Sequence, residues 1–169
     1  TSTAWSQGSP YYMYCPNKTE VGDDGETKAP AGCVAIAGAQ MLYFLHYKIG
    51  IPEFIPDTAY CYGNIKSYTW GQMDRERNIW SLIHHSGNSG YRTYDFWGNN
   101  VQEASLVAPL IANVAFLVDM DFGNAASGAQ TEDLVNKVFG FYGISCQYTT
   151  FNENTLRTSL LSGMPVIAR

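Results

Sequence analysis

From Cys33 to Leu45 the chain is apolar or small at every position but Gln40. Val34, Ala37, Met41 and Phe44 fall on one helical face, while Ala35, Gly38, Ala39 and Leu42 keep the other faces small or apolar. The pattern predicts a helix over 33–48 that is buried nearly all round, hence central to a fold. His46 and Lys48 suit the negative end of its macrodipole, and Gly50 and Pro52 stop it. Before it, residues 1–31 read as loop and turn, punctuated by Gly8, Pro10, Pro16, Gly22, Gly25 and Pro30, with an exposed tip at Asp23-Asp24-Gly25. Beyond it, residues 52–97 read as mostly irregular, with one short helix at 74–84. Asn100 and Glu103 resemble a capping box that opens a helix to about 115, and Pro109 inside it predicts a kink or a division in two.

The carboxyl-terminal third alternates signals. Residues 123–128 predict a flexible loop, 131–139 an amphipathic helix closed by Gly140, and 144–150 a strand. A last helix is expected over 154–161, ended by Gly163, and Pro165 to Ala168 begins as a second strand. Helices dominate and strand signals come late, which predicts an α+β fold. Residues 1–169 are expected to form one domain, read as a fragment cut on the first residues of an apolar strand.

Composition narrows the function. Of 169 residues 46% are apolar and 15% charged, which argues for a packed core rather than a disordered chain. The net charge of -5 and scattered Lys and Arg leave no basic stripe for nucleic acid. No apolar run approaches the ~20 residues of a membrane span, and the first residues lack the basic-then-apolar pattern of a signal peptide. Cys15, Cys33, Cys61 and Cys146 lack the short paired spacings of a zinc site, so no metal or cofactor is expected. Two disulfides are possible in an exported protein, and at most one if Cys33 stays free.

Cys33 is the first candidate for chemistry. A thiol at a helix start lies in the partial positive charge of unpaired amides, which favours a thiolate and can steady an oxyanion. A buried structural cysteine is the competing reading, because free Cys is among the most buried residue types. Gln7, in Trp5-Ser6-Gln7-Gly8-Ser9-Pro10, can donate to an oxyanion without adding charge, or be an ordinary loop glutamine. A thiolate also needs a base, but no motif places His46, His84 or His85 in that role. Metal binding by His84-His85 is disfavoured, since adjacent helical residues diverge. Asp119 and Asp121 share one side of an extended segment. They can act as a carboxylate pair, but loop hydrogen bonding is the simpler account. Tyr11, Tyr12 and Tyr14 line a groove or form an aromatic core edge.

Three stretches in order resemble the streptopain family of bacterial cysteine proteases. They are Gln7-Gly8-Ser9-Pro10-Tyr11, then Ala31-Gly32-Cys33-Val34-Ala35 with Ala39-Gln40, then Val118-Asp119-Met120-Asp121-Phe122-Gly123 and its Gly/Ser loop. The approach from Leu160 to Val166 is similar as well. The resemblance implies a papain-like fold whose helical half carries Cys33 and whose β-rich half is largely missing from this chain. It implies Cys33 as nucleophile, Gln7 as oxyanion donor, and a substrate-facing loop between Gly123 and Gly128. The family's catalytic His falls beyond Arg169, in a remainder expected as a missing segment or a second chain, so this chain alone is expected to be nearly inactive. Secretion or cell-envelope location, an inhibitory propeptide, a zymogen and protein or peptide substrates follow from the same resemblance. The competing class is a non-catalytic papain-like fragment that binds a protein or glycan through its aromatic-rich surface. An amide or acyl transferase would share Cys33 and differ in the acceptor.

Overall fold

The computed structural model describes residues 5–20, 25–49 and 101–168, with the side chains at 46–49, 101–107 and 109 set aside. The expectations for 52–97, for the histidines, for Cys61, for the Asp23-Asp24 tip and for the Asn100 cap lie outside the described residues.

Helix α1, Cys33–Ile49, forms where the apolar run predicts it. Because all its faces are apolar, periodicity alone cannot say which one packs deepest. Ala35, Ala39, Leu42 and Leu45 are deeply buried, whereas Ala37, Met41 and Phe44, which share a face with Val34, are only half-buried. Helix α2, Val101–Leu117, lies against α1 and buries Leu110, Ile111, Val114 and Ala115 completely. Gly38 sets how closely they approach. A β-carbon there would stand 2.5 Å from Leu134 Cδ2 and 2.9 Å from Val114 Cγ1, so no larger residue fits without displacement. A glycine inside a helix costs about 1 kcal/mol relative to alanine, and the close contact of three segments offsets it.

Pro109 neither ends nor divides α2, so of the two expected outcomes, a kink or a division in two, the division does not occur. An interior proline removes one helical hydrogen bond at roughly 3 kcal/mol. Here Ala108, Leu110, Ile111 and Ala112 around it are all fully buried, and their burial outweighs the local cost. The helix closes in a Schellman motif: Asp119 N–H bonds to Phe116 O at 3.1 Å and Met120 N–H to Ala115 O at 2.9 Å. Asp119, not glycine, takes the left-handed conformation there (φ 51°).

Strands β1, Asp121–Phe122, and β2, Ser127–Gly128, pair antiparallel, Asp121 with Gly128 and Phe122 with Ser127. The segment expected as a flexible loop is thus the tip of a short hairpin. The helix expected over 131–139 is a π-helical segment, Leu134–Phe139, whose Leu134, Val138 and Phe139 are buried. It ends at Phe139 with Gly140 as its C-cap, as expected, and the chain then turns at left-handed Gly143, where Ile144 N–H reaches Phe139 O at 2.8 Å. Helix α3, Glu153–Leu161, is capped by Asn152, whose side chain accepts from Thr155 N–H at 3.0 Å, and it ends at left-handed Gly163 as expected. No strand forms over 144–150 or 165–168. A strand needs a neighbour for its N–H and C=O groups, and none of the described residues supplies one. The described fold is helical around α1 and α2 with one small sheet.

Candidate functional site

Gly32 is the junction on which the site is built. Its φ of 85° suits glycine alone, and an added β-carbon would lie 2.6 Å from Met120 Sδ and Cε and 3.3 Å from Ser127 O. The chain can therefore turn sharply into α1 while the 121–128 hairpin rests directly on the turn. The first helical bond runs from Ile36 N–H to Gly32 O at 3.2 Å. That makes Gly32 the N-cap and leaves the amides of Cys33, Val34 and Ala35 without intrahelical acceptors. A glycine cap carries no side-chain oxygen to occupy them.

Cys33 is exposed although Ala31, Gly32, Val34 and Ala35 around it are buried. The structural-cysteine reading therefore fails for this residue on burial. It describes Cys15 instead, which is 1% exposed. Cys146 is half-buried, and burial pushes its thiol pKa up, away from the reactive thiolate. Cys33 and Cys146 are free thiols.

Gln7 comes to the same place. Ala31 N–H donates to the Gln7 carbonyl at 3.0 Å, which fixes the 5–12 strap two residues before Cys33. Gln7 is exposed, while Trp5, Tyr11 and Tyr12 anchor the strap in the core, Trp5 meeting Tyr43 edge-to-face at 5.5 Å. Tyr11 and Tyr12 thus form a core edge rather than a groove, and Tyr14 is half-buried.

The hairpin bearing Gly123 and Gly128 is the third contributor. A β-carbon at Gly123 would stand 2.5 Å from Ala126 O, which keeps the turn tight, whereas one at Gly128 would meet open space. Phe122 is fixed from below by edge-to-face contact with Phe116 at 5.8 Å. The hydroxyls of Ser6, beside Gln7, and Ser127, beside Gly32, are buried without a hydrogen-bond partner.

Asp119 and Asp121 do not form a carboxylate pair on one extended face. Asp119 turns away in the helix cap and binds Lys137 Nζ at 2.5 Å, and Lys137 also meets Asp133 at 3.1 Å. The Asp119 carboxylate holds the Lys137 ammonium above the usual lysine pKa, although both groups are well exposed. Asp121 is exposed on β1. Among the described residues no group of three His, Cys, Asp or Glu side chains gathers to hold a metal, and no helix is long and apolar enough to cross a membrane.

Sequence reasoning overlooked two residues near the site, Thr19 and Asn124. Thr19 N–H and Oγ1 both donate to Asn124 Oδ1, at 2.9 and 3.1 Å. They are 105 positions apart, so no local signal joins them.

Residues 5–169 match the family model described as the peptidase C10 family. Streptopain of Streptococcus pyogenes is 26% identical over 147 residues, 81% of this chain and 35% of the relative, and streptopains of serotypes M1 and M3 match equally. The chain spans about a third of the length of these curated relatives.

Proposed function

Because the chain belongs to the peptidase C10 family, a cysteine peptidase family, we propose that it is the nucleophile-bearing part of a papain-like cysteine endopeptidase. The observation that carries the proposal is the exposure of Cys33 at a helix start whose glycine cap has no side-chain oxygen, with Gln7 tied beside it through the Ala31 amide.

In this reading Cys33 Sγ attacks a peptide carbonyl carbon and the carbonyl electron pair moves onto oxygen. The Cys33 N–H and the Gln7 side-chain amide donate to that oxyanion. The intermediate collapses, the C–N bond breaks, and a His supplied by polypeptide beyond Arg169 protonates the leaving amine. Water then hydrolyses the thioester and restores the thiol. Gly123 and Gly128 bound a wall for the substrate. The β-rich half of the fold, an inhibitory propeptide and export to the cell envelope or exterior belong to the same proposal, as does the near-inactivity of this chain alone.

The test uses the full-length protein. Cys33 reacts with iodoacetamide at mildly acidic pH faster than Cys15 or Cys146, and Cys33→Ala removes peptide hydrolysis without loss of fold. Ordinary slow alkylation together with unchanged hydrolysis in Cys33→Ala defeats the proposal. One observation favours a second reading, a non-catalytic binding fragment: α3 buries none of its residues, and Tyr148, Phe151 and Leu161 are exposed at 52%, 79% and 78%. Partner binding that survives Cys33→Ala, with no hydrolysis by the wild type, would select it.

A further inference from the structure

Residues 17–20 and 25–28 run antiparallel as the two sides of an arm at the edge of the site. Asn17 bridges Lys28, Lys18 N–H donates to Thr27 O at 2.8 Å, and Ala29 N–H donates to Pro16 O at 2.8 Å. The roots of the arm, Pro16 and Ala29, are buried, and Ala29 precedes Cys33 by four residues. Its outer positions Asn17, Thr19, Glu20 and Thr27 are exposed, so burial does not hold them. The described tie is to the hairpin: Thr19 donates twice, from backbone N–H and from Oγ1, to the single oxygen Asn124 Oδ1.

The connection closes a ring. From Gly32 the path runs back through Ala29 into the arm, crosses at Thr19 to Asn124, and returns along the hairpin to Ser127, whose carbonyl rests against Gly32. Without the crossing, the hairpin tip depends on a ladder of two residue pairs, and an isolated two-stranded ladder is marginal in water.

We propose that Thr19 and Asn124 are positioning residues: their latch holds the 123–128 wall beside Cys33 and thereby sets how tightly a peptide substrate is bound. This rests on the endopeptidase reading above. Cys33, its amide and Gln7 stand on α1 and on the 5–12 strap, which the latch does not touch. Loss of the latch therefore removes binding that ground and transition states share, which raises KM and leaves kcat in place.

Both bonds are accepted by Oδ1, so the side-chain nitrogen of Asn124 is not needed. Asn124→Asp keeps the acceptor, Asn124→Ala removes both bonds, and Thr19→Val removes the hydroxyl bond alone. A net hydrogen bond of ordinary strength corresponds to roughly a 2- to 12-fold change in binding. In the full-length protein, KM for a peptide substrate rises about 5- to 10-fold in Asn124→Ala. It rises about 2- to 3-fold in Thr19→Val, and Asn124→Asp restores it to within about 2-fold, kcat holding within about 2-fold throughout. Hydrogen exchange at the Thr19 amide reads the latch without catalysis and accelerates in Asn124→Ala but not in Asn124→Asp. A KM unmoved in an active Asn124→Ala variant overturns the proposal, as does an Asn124→Asp variant as impaired as Asn124→Ala. A wild type that hydrolyses no peptide overturns the endopeptidase reading and this role with it, while exchange at Thr19 still reports whether the two residues are joined.

Discussion

Gly32→Ala tests whether the turn into α1 depends on glycine as argued. Two separate costs follow from the structure. Alanine at φ 85° occupies the left-handed side of backbone space, at about 1–2 kcal/mol. Its β-carbon would also lie 2.6 Å from the end of the Met120 side chain and 3.3 Å from Ser127 O. Met120 is flexible, but it is 1% exposed and has little room to retreat, so crowding adds about 1–2 kcal/mol. The expected loss is about 2–4 kcal/mol, a large share of the ~5–15 kcal/mol that holds a typical domain. Met120→Val separates the two costs. It removes Sδ and Cε and itself loses about 2 kcal/mol of burial, but in its background Gly32→Ala should cost only the backbone strain of about 1–2 kcal/mol and the lesser contact with Ser127 O. Urea unfolding of the four proteins, read at constant m-value, gives the coupling directly. A Gly32→Ala variant within about 0.5 kcal/mol of wild type would refute the strain argument. Equal costs in the two backgrounds would refute the contact with Met120.

Further consequences follow from other parts of the fold. Gly38→Ala gains about 1 kcal/mol of helix propensity but loses about 2–3 kcal/mol to crowding against Leu134 and the rigid Val114, so urea unfolding should show a net loss of about 1–2 kcal/mol. A gain in stability would mean that α1 and α2 are looser than described. Lys137 has a raised pKa in the folded chain, so its ion pairs stabilise below the ordinary lysine pKa and fade as the pH climbs through the folded value. Because these groups are exposed, the contribution is at most about 1 kcal/mol, and Lys137→Met should flatten the stability profile above about pH 10 without altering it near neutrality beyond that amount. Asn152→Ala removes the cap from a helix with no buried residues, at about 1 kcal/mol. Amide exchange at Thr155 and its neighbours should speed up about 5-fold, and unchanged exchange would show that α3 does not depend on its cap.

How much was legible in the chain depended on how local each cause was. Helix α1 could be read because an apolar run is a near-neighbour signal, but its deepest face could not, since no face is polar. Helix α3 was legible from its closing Gly163, although it starts one residue earlier than expected, after the cap Asn152. The stop after Phe139 was legible from Gly140, which caps the segment, but its π-helical winding was not, because an amphipathic spacing does not separate that winding from an α-helix. Strands at 121–122 and 127–128 are too short to show a period. The strand expected at 144–150 had the right residue types, but pairing is a property of two segments and not of one.

The site obeys the same division. Cys33 and Gln7 were legible as residue types in recognisable stretches, yet what makes them neighbours is a backbone bond, Ala31 N–H to Gln7 O, in which neither reactive group takes part. The exposure of Cys33 likewise depends on what surrounds it. Gly32 lets the hairpin close over the turn without covering the next residue, and the small Ala31 and Ala35 are buried where larger side chains would alter the local packing. On the proposed reading, access to Cys33 is therefore set by joints of main chain at Gly32 and Ala31. It follows that substitutions at Gly32 should alter alkylation of Cys33 even though glycine contributes no functional group. Equivalent disruption at the distant cap of α3 should leave that rate where it was.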